Sequence, residues 1–237
     1  MNEQEYIIDK YNYNMRDKLY NFEKYVPRQP MARFLAKYEL FKMIKNTKGS
    51  IVECGVHFGG GLLGWAKLSS ALEPYAIHRK VIGFDTFDGF PDVSENDLES
   101  KTHSNLKAGG FKAHSQIYTE LQECIAEYDE TRYLNQFNKV ELVKGDANIT
   151  IPKYVEENKH LVISLLYLDF DLYEPTKTAL ENLFHRIPKG GIIAFDEINN
   201  ESWKGETIAA LEYFESFGKL ELKKFEFDNN IAYAVIK

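Results

Sequence analysis

The longest apolar run in the chain, Leu161–Leu168 (LVISLLYL), has the length of a strand. A strand apolar on both faces must sit inside a sheet that is covered on both sides, the usual setting of parallel strands. Strand-like runs recur at Ser50–Cys54, Val81–Phe84, Val140–Val143 and Gly191–Phe195. Helical stretches separate them: Leu62–Leu72, Gln116–Tyr128, Pro152–Glu157, Glu174–Phe184 and Glu206–Phe217. This alternation predicts an α/β fold, a doubly wound and mostly parallel sheet. Two further strand-like runs, from Leu220 and from Ile231, are joined by Asp228-Asn229-Asn230. They predict an antiparallel C-terminal hairpin and bring the sheet to seven strands.

Ahead of the first strand, Met31–Ile44 places Phe34, Leu35, Tyr38, Phe41 and Ile44 at helical spacing, after Pro27 and Pro30. No repeat or linker divides the chain. The reading is a helical extension over 1–49, serving as lid or oligomer contact, and one domain over 50–237. The polar stretch 90–115, with Gly109-Gly110, predicts a mobile loop.

Composition excludes several classes of function. The net charge is −7, and the basic residues are dispersed among acidic ones, so a nucleic-acid partner is not expected. No apolar run approaches the roughly 20 residues that cross a bilayer. The start, MNEQEYIIDK, lacks a basic and then apolar leader, so a cytoplasmic protein is expected. Cys54 and Cys124 form no CxxC pair, and the six histidines make no HExxH or other ligand spacing.

The chemistry concentrates at the predicted strand ends. After strand 1 comes Glu53-Cys54-Gly55-Val56-His57-Phe58-Gly59-Gly60-Gly61, opening a helix. In a doubly wound sheet this turn lies where ligands bind. A dinucleotide fingerprint needs glycine where His57 stands, which argues against a NAD enzyme. An acid two residues before the first glycine suits S-adenosylmethionine. Gly55, His57, Gly59, Gly60 and Gly61 would take its methionyl part, with Glu53 near its amino group. Asp85, followed by Thr86, ends strand 2 and could accept from both ribose hydroxyls. Asp146-Ala147 follows strand 3, where an acid could meet the adenine amino group or cap a helix. Strand 4 ends in Asp169 and strand 5 in Asp196-Glu197. On neighbouring strands these carboxylates converge, and three together call for a cation. Oxygen ligands select Mg²⁺ or another hard divalent ion. Asp171 is expected to turn away, and Asp88-Gly89 to form a turn.

Val52–Gly61, Gly83–Pro91 (GFDTFDGFP), Asp169–Thr176 (DFDLYEPT) and Pro188–Asp196 (PKGGIIAFD) together resemble the macrocin O-methyltransferase family, as does Lys107–Phe111 (KAGGF). The resemblance implies a Rossmann-like class I methyltransferase fold and S-adenosylmethionine- and Mg²⁺-dependent methylation of a sugar hydroxyl. It implies a small sugar-type acceptor and a homodimer or larger homo-oligomer. It makes Asp169, Asp196 and Glu197 metal ligands, Asp169 also the general base beside the cofactor, and Lys107–Phe111 a substrate cover. Glu197 stands where the family commonly has aspartate, and His57-Phe58 where it usually has an aromatic-basic pair. A phenol or amine acceptor, or a non-catalytic S-adenosylmethionine-binding protein, are the alternative readings.

Overall fold

The computed structural model describes residues 7–98 and 103–237. Residues 1–6 of the expected extension and 99–102 of the expected loop lie outside the described residues. The strands are β1 (Ser50–Cys54), β2 (Val81–Asp85), β3 (Val140–Lys144), β4 (Ile163–Leu168), β5 (Ile192–Phe195), β6 (Lys223–Lys224) and β7 (Ala232–Val235). They form a seven-stranded sheet in the order β3-β2-β1-β4-β5-β7-β6. β1 to β5 run parallel, while β7 is antiparallel to both β5 and β6. The order reverses at β1, which has β2 on one side and β4 on the other. That reversal opens a crevice at the carboxyl ends of the strands.

The helices are α1 (Ile7–Lys10), α2 (Met15–Tyr20), α3 (Arg28–Ile44), α4 (Gly60–Leu72), α5 (Glu95–Leu98), α6 (Ile117–Glu130), α7 (Ala147–Glu157), α8 (Tyr173–Leu183) and α9 (Lys204–Phe214). Every residue of β1 and β4 is buried, as their apolar sequences require. Alternation along β4 sends Leu165 and Tyr167 into one core with residues of α3, α4 and α6. Leu166 and Leu168 enter a second core with residues of α7, α8 and α9. Among the described residues no helix is long and apolar enough to cross a membrane.

Helix α3 does not hang free of the sheet. Ala36, Leu40, Phe41 and Ile44 are fully buried in the first core. Its C-terminal carbonyls are gathered by Arg79. Nη2 donates to the carbonyls of Ile44, Lys45 and Thr47, and Nη1 donates to Ser164 Oγ on β4 at 2.6 Å.

Three elements are better defined by the structure than by the sequence. Helix α7 contains the expected Pro152–Glu157 and starts at Ala147, because Asp146 Oδ1 accepts from Asn148 N at 2.9 Å and caps it. Helix α9 stops at Phe214, where Glu215 turns left-handed, and 217–219 make a separate 3₁₀ turn. The described part of 90–115 is tied to its surroundings at several points. Gly109 N donates to Phe90 O at 2.8 Å, Phe90 N to Gly110 O at 3.0 Å, and Tyr173 N to Asp97 Oδ1 at 2.9 Å.

Leu166 has no solvent exposure and sits mid-sheet. Leu166→Ala should destabilise the chain by about 2–5 kcal/mol through lost contacts and a residual cavity. Denaturant unfolding, with an unchanged slope and a lowered midpoint, checks this.

Candidate active site

A cavity of about 900 Å³ opens at the carboxyl ends of β1, β2, β4 and β5. Glu53, Gly55, His57, Gly60, Gly61, Asp85, Thr86, Asp146, Ala147, Asp169, Asp196 and Glu197 all line it. Gly59 does not. It turns left-handed at φ 79° to start α4, and a Cβ there would sit 2.1 Å from Leu121 Cδ2.

Gly55 lets two strand ends meet. Its φ is 97°, and a Cβ would lie 2.0 Å from the carbonyl oxygen of Asp169. Gly61 makes room for a carboxylate, since a Cβ there would come within 1.9 Å of Glu53 Oε1. Glu53 is 2% exposed. Oε1 lies 3.4 Å from Lys37 Nζ, while Oε2 has no hydrogen-bond partner among the described residues. Burial raises the Glu53 carboxyl above its usual value, and Lys37 opposes that shift. The Lys37 ammonium also lies over the rings of Tyr167 and Trp65, at 4.9 and 5.5 Å.

Asp85 holds the glycine loop in shape. Oδ2 accepts from Val56 N and His57 N, each at 2.8 Å, and Oδ1 accepts from Phe87 N at 2.6 Å. Thr86 builds the next turn, donating from Oγ1 to Gly89 O at 2.6 Å. His57 sits at φ 49°, and burial lowers its pKa against the pull of Asp85. Above the cavity, Phe90 and Phe111 meet edge to face at 5.6 Å, and Phe111 lies 5.3 Å from Trp203.

The acids at the ends of β4 and β5 crowd one another. Burial, then Asp196 and Asp171, push Asp169 well above the usual carboxylate range. Burial, then Glu197 and Asp196, do the same to Asp171. Asp171 was expected to turn away, yet at φ 62° it lines the cavity. Glu197 is pushed up to about 7, first by burial and then by Asp196. Behind it stands fully buried Glu206, whose Oε1 accepts from Glu197 N at 2.8 Å.

These acids do not stand as a three-carboxylate metal centre. Among the described residues, no group of three or more His, Cys, Asp or Glu side chains is arranged to hold a metal ion. Asp196 Oδ1 instead accepts from Arg33 Nη1 at 2.5 Å and from Tyr167 OH at 2.9 Å. Glu197 Oε2 accepts from Asn200 Nδ2. The residues as placed therefore do not fit the expected Mg²⁺ site. S-adenosylmethionine fits better. The unpartnered Glu53 Oε2 is an acceptor for an ammonium, and open space at Gly60 leaves the loop accessible.

Sequence reasoning missed Arg33 and Lys37. Both come from α3 and lie one helical turn apart, on one face. Their partners, Asp196 and Glu53, are distant in sequence, so no local pattern marks them. Asp97 and Glu206 were missed for the same reason.

Solved structures of this fold are Rossmann-like methyltransferases. The chain belongs to the macrocin-O-methyltransferase (TylF) family, whose model matches residues 29–233. The calicheamicin methyltransferase CalS11 superposes with a TM-score of 0.91 at 32% identity, over 97% of this chain and 88% of that one. Its apo form, described as a TDP-rhamnose 3'-O-methyltransferase of calicheamicin biosynthesis, gives 0.82 at 28% identity, over 97% and 89%. A curated relative from Streptomyces olivaceus, 8-demethyl-8-(2,3-dimethoxy-alpha-L-rhamnosyl)-tetracenomycin-C 4'-O-methyltransferase, is 28% identical over 64% of this chain and 54% of its own length. The chain spans about half the length of the curated relatives it matches.

Gly61→Ala drives a methyl group into the Glu53–Lys37 pair. It should weaken binding of S-adenosylhomocysteine by about tenfold or more, ~1.4 kcal/mol, by calorimetry. A carboxyl raised in the folded chain binds its proton more tightly there than in the unfolded chain. Glu197 therefore contributes stability below its usual value of 4.5 that is lost as pH rises through about 7. Melting temperature should fall over that window, and Glu197→Gln should flatten the fall.

Proposed function

We propose that this chain transfers a methyl group from S-adenosylmethionine to a hydroxyl of a sugar or sugar-bearing small molecule. The observation that carries this reading is the cavity itself. It sets an unpartnered buried acceptor, Glu53 Oε2, and a raised carboxyl, Asp169, at the ends of the adjacent strands β1 and β4. Family membership and the likeness to CalS11 support it. A nucleotide-linked deoxysugar is the first acceptor to try, since the CalS11 description names TDP-rhamnose.

Bound in the crevice, S-adenosylmethionine supplies an electrophilic methyl on a sulfonium. Glu53 accepts from its ammonium and Asp85 from the ribose. Rigid placement of both by the glycine loop converts binding into alignment. Asp169 takes the proton from the acceptor hydroxyl as the oxygen–methyl bond forms, and the carbon–sulfur bond breaks to leave S-adenosylhomocysteine. Burial and the neighbouring acids raise the Asp169 carboxyl above its usual range, which makes its carboxylate a stronger base than an ordinary one. Phe90 and Phe111 roof the cavity and exclude water. Exposed apolar side chains on α1 and α2, among them Ile7, Met15 and Leu19, support a homo-oligomer in which this segment is covered.

Asp169→Asn should reduce methyl transfer to a panel of sugar nucleotides and glycosides by about 10²–10⁴-fold. Calorimetric affinity for S-adenosylhomocysteine should hardly move. A wild-type chain that binds no S-adenosylhomocysteine would sink the reading.

A further inference from the structure

We propose that Lys37 receives the carboxylate at the amino-acid end of S-adenosylmethionine, so that the Lys37–Glu53 pair reads the methionyl group as a zwitterion. This rests on the methyl-transfer reading. It adds the residue that tells the whole cofactor from one lacking its carboxylate.

Charge singles out Lys37. The methionyl end carries a carboxylate beside the ammonium that Glu53 Oε2 would accept, and the wall around it is rich in acids. A carboxylate entering such a wall needs a cation. Apart from histidine, the cations lining the cavity among the described residues are Arg33 and Lys37. Burial lowers the His57 pKa, which keeps that ring neutral at neutral pH. Arg33 is committed elsewhere. Its Nη1 donates to Asp196 Oδ1 at 2.5 Å, and its Nε lies 3.7 Å from Asp228 Oδ2.

Lys37 has donors to spare. An ammonium carries three N–H groups. Among the described residues Lys37 Nζ donates to Glu53 Oε1, at a long 3.4 Å, where a well-formed charge-assisted bond is about 2.8 Å. The residue is 8% exposed, so its remaining donors have little water to draw on. Lys37 Nζ and Glu53 Oε1 both lie against the first turn of α4, since a Cβ on Gly61 would come within 2.3 and 1.9 Å of them. Beside them, a Cβ on Gly60 would meet nothing within 4 Å. The start of a helix also favours an anion there. One buried pair thus offers an acceptor to the ammonium and a donor to the carboxylate.

Calorimetry on the full chain tests this with two probes: S-adenosylhomocysteine and its decarboxylated analogue, which keeps the ammonium. The wild-type chain should bind the analogue more weakly by about tenfold or more. Lys37→Met should weaken S-adenosylhomocysteine by about that factor and leave the analogue no weaker, because its ammonium still finds Glu53. Lys37→Arg, which keeps the charge, should keep the preference. A lysine that only props Glu53 predicts equal losses for both probes in Lys37→Met. That result would overturn the proposal, as would a wild-type chain that binds both probes equally. Should Lys37→Met fail to fold, Lys37→Gln decides by the same comparison. A wild-type chain that binds neither probe ends the methyl-transfer reading as well, whereas binding without preference removes only the role of Lys37.

Discussion

Strands β1 and β4 end so close together that residue 55 has no room for a β-carbon, which would sit 2.0 Å from the Asp169 carbonyl. The site depends on this contact. It needs a glycine at φ 97°, it places Asp169 in the cavity wall, and it lets Asp169 N donate to Cys54 O at 2.8 Å. Double-sided burial of both strands then leaves their ends nowhere to move. The glycine loop leaves β1 in a direction fixed by Asp85, whose three backbone donors come from the loops after β1 and β2.

The second organising fact is electrostatic. The cavity wall holds many carboxylates and, apart from histidine, draws its cations among the described residues from α3. Lys37 faces Glu53 and Arg33 faces Asp196. A helix outside the alternating β/α pattern thus supplies the charge balance for acids on two different strands. Burial pulls the Arg33 pKa down, but Asp196, Tyr167 and Asp169 outweigh it and hold the guanidinium firmly charged.

Much of this was legible in the sequence. Apolar continuity marks β4, and strand-loop-helix context marks the glycine loop and Asp85. The parallel sheet follows from the same alternation, and the terminal hairpin from the turn residues Asp228-Asn229-Asn230. What stayed hidden depends on tertiary packing. Pro152–Glu157 marks part of a helix, and the Asp146 cap that starts it lies one and a half turns earlier. Gly59 looks like its glycine neighbours, and only the fold brings Leu121 of α6 against it. Asp171 lies two residues beyond Asp169, on the same side of an extended chain, and it lines the same cavity. Arg33 and Lys37 read as ordinary solvated charges on an amphipathic helix until the fold brings buried acids beneath them.

Helix α3 is gripped through its backbone at its C-terminal end, and only through the Arg33 and Lys37 side chains toward the other. Arg79 grips the carbonyls of Ile44, Lys45 and Thr47, and Phe41 and Ile44 are fully buried. Toward the other end, Phe34 and Leu35 are 42% and 43% exposed. Arg33 stands about 16 Å from the clamp at 1.5 Å per residue. The helix is thus a lever with its fulcrum at Arg79. A tilt of about 10° there moves Arg33 by roughly 3 Å, enough to undo a hydrogen bond. Whatever covers the exposed face of the lever arm therefore has mechanical purchase on the floor of the cavity.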